Sequence, residues 1–200
     1  MSALAKPSCR LPTCVVPILY NINYTKIDLS GNYEFEGEID IHVNLVDPKA
    51  AGNSITLHCL ELNISTATYQ SIEHETPLEA ASFNYNIINQ SCTIIFPKTL
   101  GSKPCTDAIL SVKFNSKLNS HMQGLYRSNY TGIDGVERVM VCTQFEATDA
   151  RRGTFFIFKR FAYFLTRWFW NLPKRGRVIS CFRRPSFAEI GTFLTGRPVH

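Results

Sequence analysis

Acidic residues almost vanish from the last quarter of this chain. Residues 151–200 hold one acid, Glu189, against 11 Lys/Arg, a net charge of +10. Residues 1–150 hold 15 Asp/Glu against 10 Lys/Arg, a net charge of −5. The whole-chain value of +5 therefore describes neither part. Metal-ligand spacings are also missing. The five histidines (42, 58, 74, 121 and 200) form no close pair, and the seven cysteines (9, 14, 59, 92, 105, 142 and 181) form no C-x-x-C. Neither a structural nor a catalytic zinc site has a recognisable ligand set here. His74-Glu75-Thr76-Pro77-Leu78 begins like the H-E-x-x-H zinc helix. Leu78 stands where the second histidine belongs, and Pro77 would break the helix that aligns the pair. A glycine-rich phosphate loop and a G-x-S-x-G nucleophile turn are lacking as well, which removes the usual signs of nucleotide or serine-hydrolase chemistry. Met1–Pro17 has no basic start followed by an apolar run of about 7–15 residues, so no secretory leader is visible. Free thiols in a reducing, cytoplasmic setting are the expectation. The N-x-S/T sequons at Asn23, Asn63, Asn89 and Asn129 are then read as chance.

What is present up to residue 146 is alternation. Ile18, Tyr20, Ile22 and Tyr24 alternate with polar neighbours, as do Ile39, Ile41, Val43 and Leu45 after Tyr33 and Phe35. Period two marks strands with one face in a core. Asp28-Leu-Ser-Gly-Asn32 between the two runs predicts a hairpin turn. Gly37 interrupts the second run and predicts a bulge or a close backbone approach. Further strands are expected at 54–61, 66–72, 83–88, 92–96, 108–115 and 138–144. Pro48, Pro77, Pro97 and Pro104 fall between these runs or at their ends, where a missing N–H costs little. No stretch before residue 150 carries a helical stripe. About eight short strands spaced by turns predict an all-β fold, a β-sandwich of mostly antiparallel strands.

Such a platform acts through loops and strand ends. His42 lies on the polar phase of its strand and is expected to face solvent. Glu34, Glu36, Glu38 and Asp40 alternate along the same strand; they read as a solvated face, with a cation surface as the other possibility. The most distinctive polar stretch is Thr143-Gln-Phe-Glu-Ala-Thr-Asp-Ala-Arg-Arg152. Glu146, just past a strand end, could pair with a cationic group of a ligand in a cleft. The competing reading is a salt-bridged connector.

That stretch resembles the segment closing the N-terminal domain of zinc aminopeptidases with a thermolysin-like catalytic domain, nearest to the puromycin-sensitive branch. Arg10-Leu-Pro, Pro17-Ile-Leu-Tyr20, Phe35-Glu-Gly37 and Gly124-Leu-Tyr-Arg-Ser-Asn-Tyr130 recur in the same order. The resemblance runs collinearly over residues 10–152. It implies a β-sandwich packed against a catalytic domain, with zinc held by residues later in the family's chain. It further implies that Glu146 helps hold the free α-amino group of a peptide and that Gln144 lines the first side-chain pocket. A carboxylate facing an ammonium in a partly desolvated cleft makes a charge-assisted hydrogen bond, which would restrict cleavage to the first residue. No catalytic residue and no zinc ligand is expected within this chain, so it is expected to be inactive alone.

After Arg152 the family pattern is lost, which divides the chain into 1–152 and a tail at 153–200. The tail reads as a truncated or frame-shifted product, with a genuine alternative C-terminus as the other possibility. Nine of the sixteen residues 155–170 are aromatic, interrupted by Lys159, Arg160 and Arg167. The charges deny it the run of about 18 apolar residues that a membrane span needs. The aromatics wrap most of a helical wheel, so an irregular or partly helical basic-aromatic tail is expected. Weak, salt-sensitive binding to membranes or polyanions could follow from it, without specific nucleic-acid recognition. A non-enzymatic interaction role for the tail is the alternative to the peptidase reading.

Overall fold

The computed structural model describes residues 10–145 and 148–155, together with the backbone of 165–170 and 178–180. Its first two strands are β1 (Val15–Ile27) and β2 (Glu34–Leu45), the two alternating runs of the sequence. They pair antiparallel, with Ile22 opposite Ile39 and Tyr20 opposite Ile41. The turn between them is organised by Asp28, whose carboxylate accepts from the Ser30 and Asn32 amides at 2.8 and 3.0 Å. Those hydrogen bonds favour the charged form and hold its pKa below the usual aspartate value.

One helical turn, α1 (Pro48–Ala51), follows. Proline opens it and Asp47 caps it, accepting from the Ala50 amide at 3.0 Å. It was too short to leave a periodic stripe. Then come β3 (Ser54–His58), β4 (Asn63–Gln70), β5 (Leu78–Glu79), β6 (Ser82–Asn86), β7 (Ser91–Ile95) and β8 (Cys105–Lys117). β9 (Gly124–Thr131) and β10 (Glu137–Gln144) form a hairpin. Alternation did not announce β9, because only Gly124 and Leu125 at its start are buried.

The strands form a six-stranded sheet ordered β11-β1-β2-β8-β4-β5 and two three-stranded sheets, β3-β7-β6 and β12-β10-β9. Here β11 is Leu165–Trp170 and β12 is Val178–Ser180. Pairing is antiparallel except for β11 on β1 and β12 on β10. The architecture is thus the expected all-β sandwich of mostly antiparallel strands. A 3-10 turn at Asp149–Arg152 is the helical element after β10.

The core lies between the six-stranded sheet and β3-β7-β6. Tyr20, Ile22, Tyr24, Ile39 and Ile41 from the large sheet join Ile55, Leu57, Cys92 and Ile94 from the small one. Gly37 is a close approach: a Cβ there would lie 2.7 Å from Cζ of Phe114. The Phe114 ring in turn meets Tyr24 and Phe35 edge-on, with centroids 6.3 and 6.4 Å apart. The outer face of the large sheet is laced with polar pairs. Lys26 meets Glu36 at 2.9 Å, Asn23 donates to Glu38 at 3.0 Å, and Ser111 donates to Asp40 at 2.6 Å. The alternating acids of β2 therefore form a paired polar face. His42 is half-buried in it, 3.4 Å from the Asn21 amide nitrogen. Among the described residues no helix is long and apolar enough to cross a membrane.

Candidate substrate-anchor segment

β10 ends at Gln144, in register with Gly124 at the start of β9. Thr143, the preceding residue, is buried, and Gln144 is half-buried. The proximity of strand end and strand start places Gln144 at the rim of the hairpin. Glu146, the acid expected to meet an ammonium group, lies outside the described residues, as does Ala147. The chain on either side of it is fastened to the sandwich.

Downstream, the 3-10 turn Asp149–Arg152 is tied to three distant parts of the sandwich. The Leu60 amide donates to the Arg151 carbonyl at 2.9 Å. The Arg151 side chain, 7% exposed, donates from Nη1 to Oε1 of Gln90 at 3.1 Å and from Nε to the Thr148 carbonyl at 2.7 Å. A guanidinium removed from water needs such partners, since desolvation otherwise makes its burial costly. Arg152 reaches Glu61 at 2.5 Å and lies 3.7 Å from Asp149. Arg152 is thus ion-paired across the fold, whereas Arg151 donates to the neutral oxygens of Gln90 and Thr148.

The third tie is steric. Gly124 has φ of +67°, and a Cβ there would sit 2.5 Å from Cβ of Arg152 and 2.8 Å from the Asp149 carbonyl oxygen. Only glycine lets β9 begin so close to the turn. Past the turn the chain enters the core. Gly153 accepts from the buried Tyr24 hydroxyl at 2.8 Å. Phe155 is fully buried and meets Phe114 edge-on, centroids 5.2 Å apart. Burial raises the Tyr24 pKa, so its hydroxyl stays a donor.

Beside this connector, an open concavity of about 470 Å³ lies between the start of β4 and the end of β8. Glu61, Asn63, Asn115, Ser116 and Lys117 contribute to its lining. Glu61 is shared between the concavity and the Arg152 ion pair. Neither Gln90 nor Glu61 could be linked to the connector from sequence spacing, because each reaches it only across the fold.

The donor chemistry of the described residues does not fit a metal. Among the described residues no group of three or more His, Cys, Asp or Glu side chains converges. His74 sits in a turn, with Nε2 3.2 Å from the Leu100 carbonyl and its ring edge-on to Tyr69. The neighbouring Glu73 is engaged by the Ser102 and Lys103 amides at 2.7 and 3.2 Å, which hold its pKa down. The five described cysteines, 14, 59, 92, 105 and 142, are free thiols.

Residues 16–157 match the peptidase M1 N-terminal domain. The chain belongs to the peptidase M1 family. Over 147 residues it is 32% identical to an alanine/arginine aminopeptidase of Saccharomyces cerevisiae, covering 72% of this chain and 16% of that protein. Over 158 residues it is 30% identical to a puromycin-sensitive aminopeptidase of Caenorhabditis elegans, covering 76% and 16%. Human endoplasmic reticulum aminopeptidase 2 is 28% identical over 150 residues, covering 71% and 14%. The chain thus spans about a sixth of the length of the M1 relatives it matches. The matched M1 region runs through the 3-10 turn and Phe155.

Proposed function

We propose that this M1 domain supplies the anchor for a peptide N-terminus and performs no hydrolysis by itself. Glu146 takes the substrate ammonium, and Gln144 lines the pocket for the first side chain. The observation that carries the reading is the three-point fastening of the connector through Leu60–Glu61, Gln90 and Gly124. A carboxylate that discriminates a charged amine must be held still, because orienting it on binding would consume part of the interaction. Zinc, in the family, polarises the scissile carbonyl and activates water; the described residues of this chain hold no donor set for it. The free thiols suit a reducing, cytoplasmic setting.

The decisive experiment is a chimera in which residues 1–157 replace the matching region of the yeast alanine/arginine aminopeptidase. Glu146→Ala in that chimera is expected to lower kcat/KM on peptides with free N-termini. Loss of a charge-assisted contact to a buried ammonium costs about 2–5 kcal/mol, or roughly thirtyfold at the lower end. An unchanged kcat/KM removes the assigned role. The full chain alone, supplied with zinc, is expected to release nothing from aminoacyl arylamides.

A further inference from the structure

The stretch from Ala80 to Pro97 contains no Asp, Glu, Lys, Arg or His. It folds as β6, a turn and β7, and β6 is the terminal strand of the β3-β7-β6 sheet. An edge strand offers unpaired backbone N–H and C=O groups, and proteins usually blunt such edges with charge, proline or cover. The edge strand β9, by comparison, carries Arg127, and β5 is only two residues long. Among the described residues, β6 has none of these protections. Ser82, Asn84, Tyr85 and Asn86 are exposed and Phe83 is half-buried. Ile87 and Ile88 at the adjoining turn are 85% and 69% exposed.

The edge is also held in place. The Ile64 amide donates to the Tyr85 hydroxyl at 2.8 Å, tying β6 to β4. The turn is closed by the Asn89 amide donating to Oδ1 of Asn86 at 2.9 Å. The β6 sequence, Ser-Phe-Asn-Tyr-Asn, is self-complementary when reversed. An antiparallel copy centred on Asn84 sets Phe83 opposite Tyr85 on one face, twice. Asn84 then faces its own copy on the other face, where two amides can exchange hydrogen bonds. Aromatic pairs directly across strands are among the favourable ones.

We propose that the free edge of β6 is a self-association surface, where a second copy of this chain adds its own β6 antiparallel about Asn84. Two three-stranded sheets then become one sheet of six, related by a two-fold axis. Five residues bury far less than the roughly 1,600 Å² of a standard interface, so the association is weak and concentration-dependent.

The test is sedimentation of the full chain across roughly a hundredfold range of concentration, in high salt to screen the basic tail. Wild type is expected to shift from monomer towards dimer. Asn84→Lys and Asn84→Glu each place like charges face to face on the two-fold axis, and each should weaken association at least about tenfold. An equimolar mixture of the two variants should recover it, because Lys then faces Glu. Circular dichroism checks that the exposed substitutions leave the fold intact. A wild type monomeric throughout overturns the proposal. So does association undiminished in either variant, or a mixture that stays monomeric.

Discussion

Gly124 and Phe155 are the residues on which the connector most depends, and they fail differently. At Gly124 the backbone is left-handed and a Cβ has no room. Gly124→Ala should therefore destabilise by more than the ~1 kcal/mol that separates glycine from alanine at permissive sites, read as a lowered urea midpoint at unchanged slope. Phe155→Ala removes a fully buried ring from its contact with Phe114 and should cost about 3–5 kcal/mol. Asp134 is a gentler case. Arg138 holds its carboxylate charged, with a hydrogen bond of 2.8 Å, and its pKa falls to about 2. A depressed carboxylate contributes stability above its unfolded pKa and loses it as pH falls through the folded one. The tip of the β9–β10 hairpin should accordingly loosen between the ordinary aspartate range and about pH 2, seen as faster amide exchange at Gly132–Val136.

Among the elements, the 3-10 turn and its continuation matter more to the sandwich than their length suggests. Residues 153–155 lie within the stretch that matches the M1 N-terminal domain, beyond the Arg152 boundary expected from sequence, and all three are buried. A chain ended after Arg152 forfeits the Tyr24–Gly153 hydrogen bond and the Phe155 contact. A chain ended after Ile157 keeps both. The shorter form should therefore melt several degrees lower than the longer one, a difference that calorimetry resolves. Equal melting temperatures would mean that Phe155 contributes nothing to the core. The long strands were legible where one face is buried, as with Ile39, Ile41, Val43 and Leu45 in β2. β9 was not, because a strand with little of its length covered has no reason to alternate.

For the molecule as a whole, a body of net −5 is joined to a segment of net +10. Each basic residue near an anionic surface adds about 1 kcal/mol, and salt screens it. The full chain is expected to float with anionic liposomes at low salt and to release at high salt. A chain ended after residue 157 should not float at all. Binding that survives high salt would instead indicate insertion of the aromatic residues. The amino-acid sequence by itself determined the all-β class, the hairpin at Asp28–Asn32 and the charge division, because periodicity, turn chemistry and composition are local. It also marked Gln144 as a strand end. Only the tertiary structure decided what fastens the connector. Leu60, Glu61, Gln90 and Gly124 are far from Arg151 in the chain, and nothing in their own neighbourhoods requires them to meet it. The same holds for the bare edge of β6. Its lack of charge is written in the sequence, but its place at the end of a sheet is set by which strands pair.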